Sequence, residues 1–214
     1  MTIQMRYSPG EEIANSLTHG IGILLSIGGL GVLTAFASVF GSARHIVGVS
    51  IFGFTMVLLY TSSTLYHSIP IPRVKSILRL IDHSAIFLLI AGTYTPFTLI
   101  TLQGPWGWTL FGIVWAVAAA GIIFQTNLIL RYPIISVVLY ILMGWVVIVA
   151  IKPLTERIAP GGLALLFGGG MSYTFGVLFY AWRKLPYHHA IWHLFVLGGT
   201  VLHFFAILLF VIPV

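Results

Sequence analysis

Seven apolar runs, each near the length needed to cross a bilayer, constrain this chain more than any other feature. A spanning helix requires roughly 20 mostly apolar residues. Segments of that kind are expected at about Leu17–Val39, Ile46–His67, Ile81–Leu102, Trp108–Leu128, Ile134–Ile151, Leu163–Trp182 and Ala190–Ile212. The connections between them are short and carry Pro, Gly or charge, as at Pro70-Ile-Pro72, Gly104-Pro105, Tyr132-Pro133, Pro160-Gly161-Gly162 and Leu185-Pro186. Only 7% of the 214 residues are charged and 59% are hydrophobic, whereas a water-soluble domain carries about 25% charged residues. The expected fold is all-α, a single seven-helix transmembrane bundle over residues 1–214, with the bilayer as its solvent. The polar stretch Met1–Gly10 is followed by no small-residue cleavage site, so the first helix reads as a retained anchor.

Lys and Arg counts set the expected orientation. The N-terminal tail and even-numbered loops hold Arg6, Arg73, Lys75, Arg79, Arg131, Arg183 and Lys184; the other side holds Arg44, Lys152 and Arg157. The positive-inside rule places the N-terminus in the cytoplasm and the C-terminus outside, as for a bacterial inner (plasma) membrane protein. Trp106 and Trp108 then fall at the outer interface, and Trp182 and Trp192 at the inner one. The net charge of +6 is dispersed with no basic stripe, which argues against nucleic acid and for membrane lipids as partners. Arg73, Lys75 and Arg79 among Val74, Ile77, Leu78 and Leu80 read as a short amphipathic segment on the inner leaflet, or as plain topology determinants. There are no cysteines, so disulfides and thiolate metal sites are excluded. Gly168, Ser172 and Gly176 form a small-residue stripe suited to close helix contact, and Pro96 is expected to disturb the third helix near Thr93–Thr95.

The ionisable residues are unevenly placed. The first helix enters with Glu11, Glu12, Asn15, Thr18 and His19; the second ends with Ser62, Ser63 and His67; the third begins with Asp82 and His83; the seventh begins with His188, His189 and His193. Alternating helix direction puts all of these at one depth. Six of the eight His and three of the four acids lie in that layer. Ionisable groups in such positions are costly and mark function by default.

His189 and His193, four apart, share a helix face. With His67 at the same depth they make three imidazoles, the ligand number of a catalytic zinc site with an open position. Asp82 is placed to hold a metal-bound water or orient a ligand, and Ser63, one turn before His67, to support that water or a substrate carbonyl. An interfacial His is more usually a headgroup contact or packing residue; the match in depth of His67 and Asp82 favours metal over that alternative. His203 is expected to bond another helix, His45 to be a loop residue on the outer side, and His188 to be exposed. His19 and His83 remain unassigned. Glu12, Asn15 and Thr18 suit either the cap of the first helix or the site.

Four blocks carry a resemblance: Glu11-Glu12-Ile13-Ala14-Asn15-Ser16-Leu17-Thr18-His19-Gly20, Ser63-Thr64-Leu65-Tyr66-His67, Asp82-His83 running into Ala91-Gly92-Thr93-Tyr94-Thr95-Pro96-Phe97, and His189-Ala190-Ile191-Trp192-His193. In order and spacing they resemble the hemolysin III family, the bacterial members of the progestin and adipoQ receptor superfamily. The resemblance implies seven helices with zinc near the cytoplasmic face, held by His67, His189 and His193. It also implies that Asp82 meets the zinc through water, that Ser63 lies beside it, and that the role is in membrane homeostasis. Three functions compete: a zinc-dependent hydrolase of lipid amides or esters, its substrate entering from the bilayer; a non-enzymatic sensor with structural zinc; and, last, a pore, which would need polar residues through the full depth.

Overall fold

In the computed structural model, which describes residues 7–125 and 133–212, the chain is helical, with no strand among the described residues. Helices α1 (Pro9–Phe40), α2 (Ala43–Ser68) and α3 (Pro72–Pro96) are followed by α4 (Gly104–Phe124), α5 (Pro133–Gly144), the short α6 (Ile151–Thr155), α7 (Pro160–Ala181) and α8 (His188–Phe210). They make seven spans long and apolar enough to cross a membrane. Arg6, Arg131, the turn at Tyr132 and the end of the expected fourth span lie outside the described residues. Leu17, Leu24, Val39, Val149 and other large apolar side chains are exposed on the outward faces, as a lipid-solvated bundle requires.

Each span starts where the local chemistry allows it. Ser8 caps α1: its hydroxyl accepts from Glu11 N–H and the Glu11 carboxylate accepts from Ser8 N–H at 2.9 Å, with Pro9 just inside. Glu11 is therefore the capping residue, which frees Glu12 for other work. Pro72 opens α3, so the expected interfacial segment is simply the first two turns of a spanning helix. His45 lies in the first turn of α2, where its Nδ1 accepts from Ser42 N–H at 3.0 Å; it is a capping residue, not a loop residue.

Two spans change their winding. After Pro96, which has no N–H to donate, α3 continues as a π-helix over Phe97–Leu102, and the chain reverses through Gln103 and Gly104, both at positive φ. The fifth span, expected as one helix over Ile134–Ile151, breaks after Gly144 and resumes as a 3-10 turn over Val146–Ala150 before α6. Backbone freed at membrane depth needs a partner. Tyr94 supplies it: its hydroxyl donates to Gly144 C=O at 2.7 Å and accepts from Val147 N–H at 2.9 Å.

The small-residue stripe on α7 packs against α8. Ser172 donates to Phe195 C=O at 2.8 Å, and Gly176 lies directly against Trp192 and Phe195, where a Cβ would not fit. The start of α8 is tied to α1, because Tyr187 N–H donates to the Glu11 carboxylate at 3.2 Å. The ends of α2 and α7 and the starts of α1, α3 and α8 thus converge at one face, called here the N-terminal face.

Candidate metal centre

Helix α1 presents one buried stripe: Glu12, Asn15, His19, Gly22 and Ser26, at the spacing of a single helical face. Helix α2 brings Ser63 and His67 against it, and α8 brings His189 and His193. The three imidazoles of His67, His189 and His193 are buried, and each offers a nitrogen within 4.8 Å of the others. Their ring centroids stand 4.5 Å (His189 to His193), 5.1 Å (His67 to His189) and 5.3 Å (His67 to His193) apart.

Partners on the outer nitrogens fix two of these rings. His67 Nδ1 lies 2.6 Å from the Glu12 carboxylate, so the proton sits on Nδ1 and the lone pair on Nε2. That Nε2 has no protein partner. His193 Nδ1–H donates to Asn15 C=O at 3.2 Å, with the Thr18 hydroxyl at 3.1 Å, which leaves Nε2 as the nitrogen available to a ligand. His189 Nδ1 has no protein partner. Buried polar atoms are nearly always satisfied, so unpartnered nitrogens converging from two helices have the donor set an imidazole-binding metal requires.

A cavity of about 1180 Å³, counting the space at its open mouth, runs from this cluster into the bundle. His19, Ser63, Asp82, His83, His189 and His193 line its polar end; Leu89, Ile90, Val137, Ile141 and Val196 line its apolar body. A second cavity of about 500 Å³ continues deeper past Tyr94 and Trp145, which border both. Ser63 is fully buried and its hydroxyl has no partner. Asp82 is also buried, contacts His83 Nδ1 at 3.2 Å, and stands outside the tight group of three imidazoles.

All five residues singled out from the sequence therefore lie together. Others were placed less well. His188 is buried, not exposed: its Nδ1–H donates to Phe179 C=O at 3.2 Å. His203 bonds its own helix, at Gly199 C=O, and stacks on Tyr173 of α7 at 5.4 Å. His19, unassigned from sequence, stacks on His193 with ring centroids 3.5 Å apart and neither of its nitrogens partnered. Lys75 is buried against Glu12, not at the leaflet surface, and the Tyr7 ring covers His189 at 5.0 Å. Spacing could have revealed the α1 stripe, since Glu12, Asn15 and His19 recur at i, i+3 and i+7 in an apolar helix. Nothing local marks Lys75 or Tyr7.

The model of the family described as Haemolysin-III related matches residues 7–204. Hemolysin-3 of Bacillus cereus is 53% identical over 203 residues, covering 95% of this chain and 93% of the relative. The Hemolysin-3 homolog of Bacillus subtilis (strain 168) is 52% identical, covering 95% and 96%. The Monocyte to macrophage differentiation factor of Homo sapiens is 27% identical, covering 94% and 86%, a distant similarity that extends to the progestin and adipoQ receptor family. No solved structure matches. Nearly the whole chain is matched, and it belongs to the hemolysin III family as a multi-pass bacterial membrane protein.

Proposed function

We propose that this chain is a zinc-containing membrane protein that acts in membrane lipid homeostasis by hydrolysing an amide or ester of a lipid. The observation that carries the reading is the cluster of three imidazoles, with unpartnered nitrogens on His67 and His189; two of the three residues, His189 and His193, line the polar end of a mostly apolar cavity. His67, His189 and His193 would hold the ion. Zinc bound there would supply Lewis acidity for a carbonyl and for water. The Asp82 carboxylate would take a proton from the attacking water and return it to the leaving group. The unpartnered Ser63 hydroxyl would donate to the carbonyl oxygen. The cavity body, lined by Leu, Ile and Val, would take the apolar tail and keep water from it. By the distribution of Lys and Arg, the N-terminal face is cytoplasmic.

Three protein ligands favour catalysis over a purely structural ion, because the described residues offer no fourth His, Cys, Asp or Glu within the group. The test is elemental analysis of detergent-purified protein beside His67→Ala and His193→Ala. About one zinc per chain, lost in both variants, is expected; lipid amides and esters are then screened for hydrolysis. A parent with no metal even after zinc is supplied ends this reading. Bound zinc with no hydrolysis across the screen would favour a sensor in which the ion joins α2 to α8.

A further inference from the structure

Glu12 of α1 and Lys75 of α3 form a buried ion pair at the N-terminal face, with the ammonium 2.9 Å from one carboxylate oxygen and both side chains 11% exposed. A buried pair of this kind seldom adds stability over apolar residues of equal volume. Capping does not account for Glu12, because Glu11 and Ser8 already cap α1. Its second oxygen shows what it does: it accepts from His67 Nδ1–H at 2.6 Å, a short charge-assisted contact onto a side chain with no exposed surface. Lys75 grips the same place twice more. Its ammonium donates to the carbonyl of Tyr66, the residue before His67, at 2.8 Å and lies over the Tyr66 ring at 4.8 Å.

We propose that Glu12 is a positioning residue for His67 and that Lys75 holds Glu12 in place, so that α1 and α3 together aim a metal ligand carried on α2. The inference rests on the three imidazoles being a metal centre. A carboxylate accepting the outer N–H of a ligand imidazole fixes its tautomer and ring plane and raises its basicity. The three ligands are unequal in this respect. His193 has only a backbone carbonyl and a hydroxyl on its Nδ1, and no carboxylate of the described residues pairs with either nitrogen of His189. His67 is the one ligand aimed by a charge, and that charge is neutralised from a third helix.

The full-length protein in detergent is loaded with zinc or with cobalt(II). Zinc affinity is read by chelator competition, the ligand field by the visible absorption of the cobalt form, and the fold by thermal unfolding of the metal-free protein. Glu12→Gln should weaken zinc by about 10–100-fold and shift the cobalt bands. Lys75→Met should move both in the same direction by less, and Lys75→Arg should restore most of the loss. Because Lys75 acts through Glu12, the double variant Glu12→Gln/Lys75→Met should bind zinc no more weakly than Glu12→Gln alone. Unchanged affinity and cobalt spectrum in Glu12→Gln, with only a lower melting temperature, would overturn the inference and leave a packing contact. That result beside a metal-binding parent defeats this inference alone, whereas a parent that binds neither metal defeats the metal centre and the inference with it. Should Lys75→Met fail to fold, Glu12→Gln and Lys75→Arg still decide the matter.

Discussion

The N-terminal layer and the deeper half of the bundle both contain buried polar side chains, and they differ in what they leave uncommitted. In the deeper half, Thr93, Thr95, Thr98 and Thr200 return their hydroxyls to carbonyls three or four residues back on their own helices, at 2.7 to 3.1 Å. Trp115 Nε1–H donates to Thr95, and at the border with the N-terminal layer Tyr60 and Tyr173 meet on Thr200. In the N-terminal layer, both nitrogens of His19, the Ser63 hydroxyl, His67 Nε2 and His189 Nδ1 are left without a protein partner. Those residues lie within about 15 Å of the helix ends at that face, at 1.5 Å of rise per residue. Polarity inside a membrane protein is therefore not by itself a sign of function. Lone pairs that the fold leaves uncommitted are the sign, because leaving them so costs stability unless something else binds. The self-satisfied threonines also speak against a water-filled pore through the full depth.

The largest test of this difference is removal of an uncommitted imidazole. His189→Ala should lower zinc affinity by more than about 100-fold, since the loss of a ligand exceeds that of an outer partner. It should cost the metal-free protein only the packing of the ring against Tyr7 and Tyr180, because its Nδ1 has no protein partner to lose. Competition titration and thermal unfolding separate the two effects. Undiminished zinc binding would remove the distinction between the regions.

Next come changes on the committed side. Gly176→Leu drives a side chain into Trp192 and Phe195 at the α7–α8 contact and should destabilise by about 1–3 kcal/mol; metal affinity should fall with it, because α8 carries His189 and His193. Tyr94→Phe leaves Gly144 C=O and Val147 N–H unpaired at the break in the fifth span. That should cost about 1–3 kcal/mol while zinc affinity stays at the parent value. A Tyr94→Phe protein as stable as its parent would mean that the break is held by something other than this hydroxyl.

The two regions were also unequally legible in the sequence. The seven spans could be read because apolar length is a local property, and the cluster of three imidazoles because alternating helix direction converts sequence position into depth. His67, Asp82 and the His189/His193 pair needed nothing more. The broken fifth span could not be read, because its stability depends on Tyr94, about fifty residues away, donating and accepting in the gap. Lys75 was misplaced for a similar reason: three basic residues on an amphipathic turn look alike until one of them is turned inward by Glu12 of another helix. His203 was expected to reach across helices, but the close approach of Gly169 and the carbonyl of Gly199 hold its ring against its own helix.

The smallest expected effect is the most discriminating one. Ser63 and Thr95 are both fully buried hydroxyls on central helices, and a single atom distinguishes their variants from the parent. Thr95→Val breaks the bond to Ala91 C=O and strips Trp115 Nε1–H of its acceptor, which should cost about 1–3 kcal/mol. Ser63→Ala breaks no protein hydrogen bond, so it should change stability by less than about 0.5 kcal/mol, under the net worth of an ordinary bond, and should leave zinc content unchanged. Chemical denaturation of both variants in one detergent makes the comparison direct. If Ser63→Ala costs as much as Thr95→Val, the Ser63 hydroxyl is a structural group with a partner such as an ordered water. Its freedom to meet a substrate carbonyl then goes, while the three imidazoles keep theirs.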